Sequence, residues 1–92
     1  MAMGDVADRI SQKLEAAFAP VSLTVRDDSA RHAGHEGARE GGESHFDVAM
    51  VSDAFNGLSR VERQRRVNAV LAEELAGPVH ALSLKLRTPG EA

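Results

Sequence analysis

Residues 45–88 read "HFDVAMVSDAFNGLSRVERQRRVNAVLAEELAGPVHALSLKLRT", and the order of periodicities inside this run decides the fold. It opens with alternation. Phe46, Val48 and Met50 fall on one side of an extended chain, and Ala49 and Val51 make the other side partly apolar, as suits a strand. Turn chemistry follows in "SDAFNGL", with Asn56-Gly57 as its tightest element. Ser59 and Glu62 then match a capping box, in which each side chain takes up an orphan N–H of the first helical turn. A helix from Ser59 carries Val67, Val70, Leu71 and Leu75 inward and stops at Gly77-Pro78. In "VHALSLKLRT" the alternation returns, with His80, Leu82, Leu84 and Leu86 sharing a face. A helix long enough for a crossover separates the two strands, so they are expected to run parallel.

Upstream, "GDVADRISQKLEAAFAP" (4–20) repeats Val6, Ile10, Leu14 and Phe18 every four residues, the apolar stripe of an amphipathic helix that Pro20 ends. "VSLTVRD" (21–27) alternates, with Val21, Leu23 and Val25 on one face. The two strands flank a long polar segment and most simply form an antiparallel hairpin. The order α-β-β-α-β predicts an α+β domain, with helices packed on one face of a small three-stranded mixed sheet. Ninety-two residues make one domain, 1–92, with its core over about 5–88 and short flexible termini.

Composition removes several function classes. An aromatic share of 3% leaves almost no platform for stacking single-stranded bases. A net charge of −3 gives no global attraction to nucleic acid or an anionic membrane. With no cysteine in the chain, there is no disulfide, thiolate nucleophile or all-protein iron–sulfur cage. No run approaches the roughly 18 apolar residues of a bilayer span. "MAMGDVADRI" has acids early and no apolar core of a signal peptide, so a cytoplasmic protein without membrane contact is expected.

The segment "DDSARHAGHEGAREGGESHF" (27–46) holds three of the four histidines and four of the eight glycines. A stretch of this length between hairpin strands is uncommon unless it is functional or slack. His32-x-x-His35 is weak evidence for a metal, since a loop histidine is usually solvated and His80, at a strand start, is usually a packing residue. Arg60, Arg63 and Arg66 recur at three-residue spacing with Arg65 beside them, and Lys85 lies on the outward side of the last strand. Together they form a basic surface for phosphate or an acidic partner, although a solvated helix face is the commoner meaning. No GxxG loop precedes the helix; only Gly57 stands there. No nucleophile–base–orienter set can be assembled, so the chain does not read as an enzyme and no catalytic residue is assigned.

Taken together, "ESHF" (43–46), the V-S-x-x-F-x-G turn (51–57), the arginine-bearing helix start and the closing V-H-A-L (79–82) resemble the BolA family. The resemblance runs from about Val6 to Thr88. It implies a type II KH-like arrangement and a partnership with monothiol glutaredoxins of the CGFS type, sharing a [2Fe-2S] cluster completed by glutathione. No cofactor is then expected in the isolated protein. The family's ligand from V-H-A-L maps onto His80. Its loop ligand follows a D/E-S-x-x segment, here Asp28-Ser29-Ala30-Arg31, which puts His32 in the ligand position with His35 as the alternative. Neutral imidazoles in place of thiolates raise a cluster's potential, as in Rieske centres. The implied function is iron–sulfur trafficking, assembly or iron sensing. The rival is a DNA-binding transcriptional regulator of stress or morphology using the basic helix face. Gln64 stands where the family commonly has the His of R-H-R, so a role tied to that His does not carry over.

Overall fold

The first helix, α1 (Asp5–Phe18), buries the four residues of its predicted stripe, Val6, Ile10, Leu14 and Phe18. The protein is described from a computed structural model over residues 5–27 and 45–92. After Phe18 the chain turns through Ala19, whose φ of 43° lies in the left-handed region. The Ala19 N–H still donates to Glu15 O at 3.0 Å, and Pro20 prevents a further turn. The Phe18 carbonyl, one of those every helix end leaves orphaned, accepts from the buried Ser52 Oγ at 2.7 Å. A left-handed alanine costs about 1–2 kcal/mol, partly offset against glycine by the alanine's smaller unfolded-state entropy. Ala19→Gly is therefore expected to stabilise the domain by about 0.5–1 kcal/mol. A thermal melt in which the variant's midpoint does not rise would contradict this.

The next two strands are β1 (Ser22–Asp27) and β2 (His45–Val51). They pair antiparallel from Ser22↔Val51 to Asp27↔Phe46. The third, β3 (Ala81–Arg87), lies parallel to β2 from His45↔Ala81 to Val51↔Arg87. The sheet order is β1-β2-β3, which makes β3 an edge. These are the hairpin and the parallel crossover that the periodicities predict. Phe46, Val48 and Met50 are buried, with Leu23, Val25, Leu82, Leu84 and Leu86 packed around them. The opposite face carries Ser22, Thr24 and Arg26, then Asp47 and Ala49, then Ser83, Lys85 and Arg87, by the same alternation. Val21 departs from expectation. It precedes β1, donates its N–H to Val51 O at 2.7 Å and is 68% exposed. The Ala19-Pro20 turn delivers the chain to the sheet there, beyond the last residue of α1 that could cover it.

A 3-10 turn (Asp53–Phe55) follows β2, capped by Ser52, whose Oγ accepts from the Ala54 N–H at 3.0 Å. Gly57 takes the positive φ of 81° that the turn needs. Ser59 caps α2 (Arg60–Val70), its Oγ accepting from the Glu62 N–H at 3.1 Å. The helix expected to run on to Gly77 divides at Leu71, whose ψ of 22° breaks the regular turn, and continues as α3 (Ala72–Ala76). This bend accompanies the burial of both Leu71 and Glu74, each 1% exposed. Glu74 is compensated from α1, where Lys13 Nζ reaches its oxygens at 2.9 and 3.0 Å and Arg9 Nε lies at 3.4 Å. A buried carboxylate is tolerated only with such partners. Among the described residues no helix is long and apolar enough to cross a membrane.

Candidate functional site

Two regions carry the residues singled out by the sequence, and they lie toward opposite ends of β3. The first is the end of the sheet where β2 and β3 begin. His80 immediately precedes β3 and is exposed. Its side chain makes no hydrogen bond or ion pair with a described residue. His45, half-buried, starts β2 opposite Ala81. Antiparallel pairing brings the last residue of β1, Asp27, to this same end, opposite Phe46. His32 and His35 lie outside the described residues. The two positions that border their segment, Asp27 and His45, thus share one sheet end with His80. Among the described residues no group of three or more His, Asp or Glu side chains is arranged to hold a metal ion.

The second region is a groove of about 720 Å³ between the start of α2 and β3. Arg60, Arg63, Lys85 and Arg87 line it, with Glu91 as the one carboxylate among the described residues and Leu58, Leu84 and Leu86 among its apolar walls. The five basic residues expected to make one surface do not behave alike. Arg60, Arg65, Arg66 and Lys85 are exposed. Arg65 and Arg66 both lean on Glu62, at 3.7 and 3.3 Å, an exposed helical pairing worth little.

Arg63 is turned inward and only 7% exposed. Its Nε donates to Leu58 O at 3.0 Å and Nη1 to Leu86 O at 3.0 Å. Nη1 and Nη2 also fork onto the two Glu91 oxygens at 2.6 and 3.1 Å. The guanidinium further lies 5.9 Å from the centre of the Phe55 ring, within cation–π range. Arg63 is thus a structural tie that fastens the start of α2 to the last strand. Helical spacing held the clue: Arg63, Val67 and Leu71 follow one another at four-residue steps, so Arg63 continues the buried stripe.

Glu91 was not singled out in the sequence, and no spacing signal marks it. The Arg63 guanidinium, and then the Thr88 N–H donating at 2.9 Å, hold its carboxyl down from the ordinary 4.5 to about 2. The direction of the pH effect follows. A depressed folded-state pKa contributes stability that is present above about 4.5 and is lost as pH falls toward about 2. Glu91→Gln is expected to lower the urea midpoint at neutral pH and to flatten its fall across that acid window. Parallel wild-type and variant curves between pH 4.5 and 2 would contradict the linkage.

With this geometry in hand, likeness to known proteins is informative. Residues 14–91 match the family model described as "BolA-like protein". The chain is 49% identical over 90 residues to BolA-like protein 1 of Homo sapiens, an alignment covering 98% of this chain and 63% of that one. It spans just under two thirds of the length of several such relatives. It is 47% identical over 83 residues to the DNA-binding transcriptional regulator BolA of Escherichia coli strain K12, covering 90% of this chain and 75% of that one. Among solved structures, the BolA domain of SufE1 from Arabidopsis thaliana superposes with a TM-score of 0.87 at 45% identity, covering 99% of this chain and 100% of that domain. The α+β architecture, the mixed sheet and the sequence agree, and the chain belongs to the BolA-like family.

Proposed function

We propose that this protein is a non-catalytic cytoplasmic adaptor that docks a monothiol glutaredoxin and shares a [2Fe-2S] cluster with it, serving iron–sulfur trafficking, assembly or iron sensing. The observation that carries the reading is His80, exposed and without a hydrogen-bond or ion-pair partner among the described residues, at the sheet end bordered by Asp27 and His45. The donor set fits half a cluster and no more. A chain without cysteine can offer one iron two imidazoles, here His80 and His32 or His35, while glutaredoxin and glutathione supply thiolates to the other. When bound, the cluster supplies electron or iron–sulfur transfer capacity. The contribution of this chain is to present His80 from a rigid strand start with its ring free for a metal. The test mixes the protein with a CGFS glutaredoxin and a reconstituted cluster, then records visible absorption and circular dichroism for wild type, His32→Ala and His80→Ala. Unchanged spectra in both variants would remove the ligand assignment.

A second reading, a DNA-binding regulator, is favoured by the name of the Escherichia coli relative and by the exposed Arg60, Arg65, Arg66 and Lys85. Arg63 does not contribute to it, because its donors are committed to Leu58, Leu86 and Glu91. Phosphate contacts lower affinity by roughly 0.9 log units per contact for each log unit of salt. A titration that finds no salt-dependent duplex binding at low ionic strength would exclude this reading.

A further inference from the structure

The groove beside β3 has a feature that neither reading uses: it follows the free edge of a strand. Four successive residues of β3, Leu84 to Arg87, line it. Alternate side chains of a strand point to opposite faces, so a cavity touching all four wraps around the strand's edge. The backbone bonds agree. The Arg87 carbonyl accepts from the Ser52 N–H at 2.9 Å, on the side of β2. Its predecessor, the Leu86 carbonyl, points the other way and accepts from Arg63. By the same alternation the N–H and C=O of Leu84 face outward, where the sheet has no further strand among the described residues.

The charge along this edge is one-sided. Arg60, Lys85 and Arg87 have no carboxylate partner among the described residues, although the whole chain carries a net −3. Among the described residues the one acid in the groove, Glu91, is already neutralised by Arg63. Glu91 also shows that a carboxylate is received at this end of the edge. The geometry points to a docking site for an extended acidic segment of a partner protein, added as a fourth strand along β3. Its backbone would pair with Leu84, its apolar side chains would lie on Leu58 and Leu84, and its carboxylates would meet Arg60, Lys85 and Arg87. Backbone pairing supplies affinity in this mode, and alternate side chains supply selectivity. A second copy of this chain is a poor occupant, since edge-to-edge pairing would set Lys85 and Arg87 against their own counterparts. The inference does not rest on the cluster reading, because His80 lies before the first residue of β3 and the groove follows its last four.

The experiment titrates the isotope-labelled full chain at low salt with a blocked peptide alternating Glu and Val. Saturable shifts along Leu84–Arg87 and slowed exchange of the Leu84 amide are expected. An Arg60→Glu, Arg87→Glu double variant, with its fold checked by its amide spectrum, is expected to bind about tenfold more weakly. A peptide of the same charge but N-methylated at alternate residues is expected to lose about as much, since it cannot pair its backbone. Equal binding by either control, or shifts confined to β1, would overturn the proposal. So would an absence of binding at low salt, which leaves the cations as the ordinary guard of an edge strand. A DNA duplex that shifts these residues where the peptide does not would also overturn it, in favour of phosphate. Cluster spectra of the His80 variants are untouched by any of these outcomes.

Discussion

Phe55→Ala is expected to destabilise the domain by about 3–5 kcal/mol, the range for removing a fully buried phenylalanine ring. Phe55 is 0% exposed. Its ring lies 5.2 Å from that of Phe18 at 39°, and the Arg63 guanidinium sits over it at 5.9 Å from its centre. The Phe55 backbone is equally engaged, its N–H donating to Ser52 O at 3.2 Å and its carbonyl accepting from the Leu58 N–H at 3.1 Å. The ring therefore stands where the end of α1, the turn after β2 and the start of α2 meet. The surrounding backbone is fixed by those hydrogen bonds and cannot collapse into the space, which puts the loss toward the upper part of the range. Native domains hold only about 5–15 kcal/mol in all, and at this chain length the change corresponds to roughly 12–40 °C in Tm. Val61→Ala is the matched control. Val61 is 60% exposed, so its loss should stay within about 0.5 kcal/mol. Urea unfolding of both variants decides the matter, and a Phe55→Ala loss near that of Val61→Ala would show that the turn is not part of the core.

Such a keystone was partly legible in the sequence, and the reason is physical. Periodicity reports which side of an element meets the core, so the stripe of α1 and the alternation of β2 correspond directly to buried side chains. It does not report where the covering layer stops, which is why Val21, in phase with Leu23 and Val25, is nevertheless exposed. It does set Arg63 in step with Val67 and Leu71, but it does not show what would receive the charge there. Arg63 and Glu74 both occupy inward positions of α2 and α3, and only their partners on distant elements, Glu91 and Lys13, make that burial tolerable. These contacts join residues far apart in the chain, and no local pattern encodes them. The candidate site divides in the same way. Alternation sets His80 on the strand face of Leu82, Leu84 and Leu86, whereas it stands one residue before β3 and is exposed. Its association with His32 came from family resemblance and not from spacing, and His32 and His35 lie outside the described residues.

The largest functional effect is expected at His80, and a pair of substitutions separates ligation from packing. If His80 is a ligand, His80→Ala leaves one iron short of a donor. The shared cluster should then lose its characteristic visible circular dichroism or fail to assemble with glutaredoxin. The same change should barely affect folding, because the side chain is exposed and makes no hydrogen bond with a described residue. Surface substitutions of this kind stay within about 0.5 kcal/mol. His80→Cys restores a donor but exchanges a neutral imidazole for a thiolate, adding negative charge at the iron. Clusters with two imidazoles sit several hundred millivolts above all-thiolate ones, so a single exchange should lower the potential by on the order of 100 mV or more. A packing role predicts something different: Ala and Cys would both be tolerated, with spectra and potential unchanged. Cluster formation that survives His80→Ala with an unaltered spectrum would therefore remove His80 from the ligand set. Assembly recovered in His80→Cys at a lower potential would tie the first residue before β3 to the iron itself.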